Sequence, residues 1–154
     1  MKKKLLSLAL ALVMIFTLAA CGSKKTDDSS GGSTTGDTIK IGNIGPQTGD
    51  LAVYGKTALN GIKLAIEEVN ADGGVLGKQL ELLVEDDKGD ASEAVTLYNK
   101  LKGENISAII GAITSKPTDA IATNSVDDGI PIITPTGTMA SITEGKANVF
   151  RTCY

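Results

Sequence analysis

Beyond residue 38 the chain alternates between two hydrophobic periods. Ile39, Ile41 and Ile44, with Gly42 and Gly45 among them, predict a short strand that ends in a turn at Gly45-Pro46. Leu59, Ile62, Ala65, Ile66 and Val69 then recur at helical spacing, with Lys63, Glu67 and Glu68 on the other faces. Asn70-Ala71-Asp72-Gly73-Gly74 stops that helix, because glycine enters the left-handed cap without a Cβ clash. Gln79 to Val84 predicts a second strand. Asp90, three residues before Glu93, has the spacing of a helix cap, and Ala94, Val95, Tyr98 and Leu101 form the inward stripe of the helix that follows. Ser107 to Gly111 is a third, apolar strand. Pro117 suits the first turn of a third helix, where its missing N–H costs nothing, and Ala120, Ile121 and Val126 carry that helix on to Gly129. Ile130 to Thr134 predicts a fourth strand and Val149 to Cys153 a fifth.

This alternation defines the α/β class, with a parallel β-sheet flanked by helices on both faces. The runs Ala108-Ile109-Ile110 and Ile130-Pro131-Ile132-Ile133 read as strands buried on both sides. No internal repeat at solenoid spacing is present. The sequence stops on a strand with no element to close it, so it is expected to be an incomplete lobe, residues 39–154, of a longer protein.

The first 38 residues follow a different pattern. Three lysines, Lys2 to Lys4, precede an apolar run from Leu5 to Ala20 broken only by Ser7 and Thr17. That is a leader, residues 1–20, and the run falls short of the roughly 20 apolar residues of a spanning helix. Leu18-Ala19-Ala20-Cys21-Gly22 places small residues before the cut and a cysteine after it. It resembles the lipobox of bacterial lipoproteins, in which the cysteine thiol takes a diacylglycerol and becomes the new N-terminus. The resemblance implies lipidation at Cys21 and a membrane anchor on the extracytoplasmic face. The segment to residue 38 has no apolar side chain larger than a threonine methyl, so 21–38 is expected to be a flexible tether of roughly 20–25 Å root-mean-square span.

Composition removes several classes of function. Of 154 residues, 42% are hydrophobic, enough for a core, and the formal net charge of -3 becomes more negative once the leader lysines are lost. An acidic chain without a basic aromatic stripe is a poor partner for nucleic acid. The absence of histidine rules out Ser-His-Asp and Cys-His machinery within the chain, and two distant cysteines do not make a zinc site. No nucleophile–base pair or cofactor loop is found, so neither an enzyme nor a bound cofactor is expected. Gly55-Lys56-Thr57 resembles the end of a phosphate-binding loop. However, five residues separate Gly49 from Gly55 where the motif needs four, and Asp50 adds a carboxylate. Asp86, Asp87 and Asp90 lack the alternating order of a calcium loop and read as turn and capping residues.

In open parallel sheets ligands bind beyond the carboxyl ends of the strands. That rule selects Gly45 to Gly49, Gly111 to Thr118 and Thr134 to Thr138, which are rich in hydroxyls and glycine and poor in charge. Thr114, Ser115 and Thr118 surround a helix start that favours an anion, and Ser115 and Thr138 could hold a carboxylate. The alternative is that Thr114 or Ser115 caps its helix and Thr138 caps a short turn from Met139 to Thr143. Tyr54 is either core or a ring face offered to a ligand.

The stretches Ile44-Gly45-Pro46-Gln47-Thr48-Gly49, Asn70 to Gly74 with Gly77, Thr114-Ser115-Lys116-Pro117-Thr118 and Ile133 to Thr138 resemble the leucine/isoleucine/valine-binding proteins, type I periplasmic binding proteins of ATP-driven amino-acid importers. The resemblance implies a Rossmann-like first lobe, with the second lobe absent from this chain. It implies that Ser115 and Thr138 hold the ligand α-carboxylate, that Thr136 helps hold the α-ammonium through its backbone oxygen or hydroxyl, and that Tyr54 lines the side-chain pocket. The acid that pairs with the ammonium is expected from the second lobe. Implied partners are an amino acid, a membrane permease and an ATPase. A sensor of the same fold is the competing function, and amides, urea or aromatic acids are competing ligands. Some members bridge two cysteines at positions that here look like Gly89 and Thr114, so that disulfide is missing. Cys153 is expected to be buried or loosely constrained.

Overall fold

The computed structural model describes residues 38–153. The leader, Cys21 and the tether up to residue 37 lie outside the described residues. Five strands, β1 (Ile39–Gly45), β2 (Leu80–Asp86), β3 (Ala108–Gly111), β4 (Ile132–Thr134) and β5 (Val149–Arg151), form one sheet in the order β2-β1-β3-β4-β5. Every pairing is parallel. The strands are joined by α1 (Ala52–Ala71), α2 (Ala91–Gly103), α3 (Ser115–Asp128) and a 3-10 turn at Ala140–Ile142. The chain steps one way from β1 to β2 and the other way from β2 to β3. Right-handed crossovers therefore place α1 on one face and α2 and α3 on the other.

The register shows how the core is divided. Ile44, Ile109, Ile132 and Val149 point to the α2/α3 face and join Ala94, Tyr98, Leu101, Ile121 and Ala122 in one buried cluster. Tyr98, fully buried, donates its hydroxyl to Asp128 at 2.8 Å, and Lys102 pairs with the same carboxylate, so α2 and α3 are clasped together. Burial first, then the hydrogen bond to Asp128 and its charge, push the Tyr98 phenol well above its ordinary value. Leu97 completes the inward stripe of α2, while Val95 packs only partly buried at its margin.

The opposite face is covered unevenly. Gly55, Leu59 and Ile62 are the buried residues of α1, whose packing is against β2, and Ala65 is exposed. Beyond that, Ile133 on β4 is 38% exposed and Phe150 on β5 is 52% exposed. The expectation that Ile130 to Ile133 is buried on both sides is therefore corrected. A single helix about 10 Å wide covers about two strands, so nothing among the described residues roofs β4 and β5 on this side. Strand limits shift slightly from expectation: β2 runs on to Asp86, and β4 and β5 are shorter.

Predicted punctuation is visible in the geometry. Asp90 accepts the Glu93 N–H at 2.8 Å, Gly129 closes α3 in the left-handed conformation, and Gly73 and Gly74 follow α1 with positive φ. Gly55 has a different role. A Cβ there would lie 1.8 Å from the Pro46 carbonyl oxygen, so only glycine lets α1 pass this close to the β1–α1 loop. Gly55→Ala should destabilise the lobe by about 1–3 kcal/mol, as overpacking does. Urea denaturation followed by circular dichroism would measure it, and an unchanged midpoint would contradict the contact.

Candidate functional site

All five strands end at one rim, and the loops that leave it meet there. The β1–α1 loop is held by Asp86 at the end of β2. Its carboxylate accepts the Gln47 N–H at 2.8 Å, the Thr48 hydroxyl at 2.6 Å and the Lys88 N–H at 3.0 Å. Burial alone would raise the pKa of Asp86, but the hydrogen bonds from Thr48, Gln47 and Lys88 outweigh it and hold the group below its ordinary value. Asp87 goes the other way. It is fully buried, its Oδ2 has no partner, and burial, with the charges of Asp86 and Asp90, pushes it up against backbone N–H donors that include Gly89.

The β3–α3 turn and the loop after β4 are riveted by buried hydroxyls. Thr134 donates to the Ala112 carbonyl at 2.9 Å and accepts the Gly137 N–H at 3.2 Å. Thr118 directs its hydroxyl to the Ala112 and Thr114 carbonyls. Gly111 ends β3 at φ +135°, with a Cβ position 2.3 Å from the Ile44 carbonyl oxygen, which excludes a side chain there.

Two adjoining recesses open on this rim. One, of about 360 Å³, is lined by Leu51, Tyr54, Ile113, Thr114, Ser115 and Thr136. The other, of about 500 Å³, lies between the first turns of α1 (Val53, Tyr54, Thr57, Ala58) and Pro135 and Thr136. Tyr54 is 58% exposed and belongs to both, so it is a surface ring and not core. Thr138 lines neither, but its N–H donates to Ser115 Oγ at 3.1 Å, which sets the two residues side by side.

The hydrogen bonds already made decide what each group has left to offer. Ser115 Oγ accepts from Thr138, so its own hydrogen remains free to donate. Thr136 spends its hydroxyl hydrogen on the Ile113 carbonyl, so its oxygen is left as an acceptor, and the Thr136 carbonyl accepts nothing among the described residues. A donor side and an acceptor side therefore stand next to each other. The helix-capping alternative is not realised: Thr114 occupies the N-cap of α3 and Met139 that of the 3-10 turn, both without a side-chain cap.

The remaining motifs resolve simply. Gly55-Lys56-Thr57 lies within α1, where the Thr57 hydroxyl returns to the Val53 carbonyl at 2.7 Å, so no phosphate cradle forms. Asp86 and Asp90 serve a loop and a cap, and no group of three metal-ligating side chains occurs among the described residues. Cys153 is a free, partly buried thiol 2.9 Å from the Gly137 carbonyl. Sequence reasoning missed Leu51, the Asp86 clamp and Arg151, whose Nη1 donates to the Thr138 carbonyl at 2.7 Å. The strand-end rule that selected the hydroxyl loops applies equally to Asp86 and Arg151.

Fold and rim together define a parallel α/β lobe with two open recesses at the carboxyl ends of its strands. The family model described as "Periplasmic binding protein" matches residues 38–154, and the chain belongs to that family. It is 37% identical over 116 residues to the Leu/Ile/Val-binding protein BraC3 of Rhizobium johnstonii, covering 75% of this chain and 32% of that protein. It is 39% identical over 121 residues to the leucine-, isoleucine-, valine-, threonine- and alanine-binding protein of Pseudomonas aeruginosa, covering 78% and 32%. Among solved structures, the branched-chain amino acid transporter substrate binding protein LivJ of Streptococcus pneumoniae, in complex with isoleucine, superposes with a TM-score of 0.73 at 36% identity, covering 77% of this chain and 34% of that one. The chain spans about a third of the length of the curated relatives it matches.

Asp86→Asn should loosen the β1–α1 loop and lower stability by about 1–2 kcal/mol at neutral pH. A carboxylate held below its ordinary value of 3.8 adds stability that is present above that pH and lost as pH falls through the depressed value. The gap between wild type and Asp86→Asn should therefore close in acid, and urea midpoints across pH 2–7 would show it.

Proposed function

We propose that this chain is the first lobe of an extracytoplasmic substrate-binding lipoprotein of an ABC importer, which binds branched-chain or related amino acids and delivers them to a permease. The observation that carries the reading is the pairing of a spare donor at Ser115 with spare acceptors at Thr136. Ser115 and Thr138 would donate to the α-carboxylate, with the first N–H groups of α3 adding partial positive charge. Thr136 would accept from the α-ammonium through its carbonyl and hydroxyl oxygens. Tyr54, Val53, Ala58 and Pro135 offer an apolar bed for an aliphatic side chain. Binding would proceed by closure of a second lobe over this half-site, with no bond made or broken.

Relatives and structural neighbours named for leucine, isoleucine and valine support this ligand class. A second reading comes from a solute binding protein of Rhodopseudomonas palustris in complex with 3,4-dihydroxybenzoic acid, at 29% identity and TM-score 0.69. A benzoate would satisfy the donors but leave the Thr136 acceptors unpaired, and an unpaired desolvated acceptor costs about 1–3 kcal/mol. This favours an amino acid.

Calorimetric titration of the full-length protein against aliphatic amino acids and hydroxybenzoates would separate the two readings. An aliphatic amino acid is expected to bind, with Ser115→Ala and Thr138→Ala each weakening it by about 10–100-fold, the size of a hydrogen bond to a charged group. Unchanged affinity in both variants would refute the site. The lipid anchor is tested separately. Cys21→Ala is expected to move the protein from the membrane fraction to the soluble one, and retention at the membrane would count against lipidation.

A further inference from the structure

Where β5 runs out, Arg151, Thr152 and Cys153 lie along the back of the Thr134–Thr138 loop. The Thr152 N–H reaches the Thr134 carbonyl at 3.1 Å and its hydroxyl the Pro135 carbonyl at 3.2 Å. The Cys153 thiol reaches the Gly137 carbonyl at 2.9 Å, and Arg151 Nη1 the Thr138 carbonyl at 2.7 Å. Four of the loop's five carbonyls are thus tied away from the ligand side. The fifth, at Thr136, is the one the proposed site needs as an acceptor. Arg151 brings a full charge as well as a hydrogen bond. It forms no ion pair with an acidic side chain among the described residues, unlike Lys40, Lys100 and Lys102. The peptide unit of Thr138 links the carboxylate donor Ser115 to the carbonyl that Arg151 holds through one residue.

We propose that Arg151 is a positioning residue for the anionic end of the ligand, a role that rests on the amino-acid site described above. Through the Thr138 carbonyl it fixes the loop so that the Thr138 N–H stays on Ser115 Oγ and the Ser115 hydrogen stays available. Its unneutralised guanidinium also raises the local potential where the carboxylate sits. Coulomb attraction over several ångströms at a protein surface outweighs the weak negative field of an acidic chain, which salt screens. A ligand without the negative charge feels the loop geometry but gains no attraction from the field.

The test compares L-leucine with L-leucinamide, titrated into full-length wild type, Arg151→Gln and Arg151→Lys, with thermal melts to establish folding. Arg151→Gln keeps an N–H donor for Thr138 and removes the charge. It should weaken leucine by about tenfold and leucinamide by much less. Arg151→Lys restores the charge and should recover leucine to within about threefold of wild type. If Arg151→Gln does not fold, Arg151→Met repeats the comparison. Equal losses for both ligands, or no loss for leucine, would overturn the proposal. Wild-type protein that binds neither leucine nor any other amino acid would remove the ligand assignment itself, and this proposal with it.

Discussion

The rim of the sheet is organised around one buried acceptor, the Ala112 carbonyl. Thr134 on β4 and Thr118 on α3 both direct hydroxyls at it, and Thr134 in turn accepts the Gly137 N–H. These groups are sealed from water, so each missing bond would cost about 1–3 kcal/mol. The arrangement leaves the β3–α3 turn and the β4 loop little freedom relative to each other. Ser115 sits one residue past Thr114 on the first turn of α3, and Thr136 and Thr138 sit just past Thr134. Their adjacency therefore follows from buried hydrogen bonds that no ligand touches.

Much of this was legible in the chain because hydrophobic period and strand ends are local properties. The five strands, three helices, the Asp90 cap and the Gly129 stop are set by side-chain alternation and by the few residues that tolerate special dihedrals. The strand-end rule likewise placed Ser115, Thr136 and Thr138 at one rim. What escaped depends on tertiary placement. An Ile-Pro-Ile-Ile run looks the same whether or not a helix covers its second face, and α1 packs against β2, leaving Ile133 open. Arg151 reads as an ordinary charge at a strand end until the neighbouring loop is seen to present a carbonyl to it. Asp86 and Asp87 are identical in sequence terms, yet one faces four donors and the other is buried with an orphan oxygen.

That pair of aspartates bears on how the rim responds to pH. Asp86, held low by its hydrogen bonds, favours the folded lobe above its ordinary range. Asp87, pushed up by burial, favours it most when protonated and withdraws that contribution as pH rises through its folded value. The two contributions change in adjoining windows, that of Asp86 below the ordinary value of 3.8 and that of Asp87 above it. As pH falls, the Asp87 contribution is gained first and the Asp86 contribution is lost afterwards, so the pH dependence from this strand end reverses sign near the ordinary carboxylate value.

No fully charged side chain lines either recess. A zwitterion would meet hydroxyls, peptide dipoles and an aromatic ring, with Arg151 one residue behind. Neutral donors and acceptors lose less hydration on closure than ions do, so a dipolar half-site avoids much of the desolvation penalty that a buried ion pair carries. The same economy limits what the lobe can do alone: dipoles on one side leave half of the ligand in water, where they compete with bulk solvent at high dielectric. Excluding that water is what makes such contacts strong. It would require a second surface opposite Tyr54, Ser115 and Thr136, closed over the open recesses of this rim.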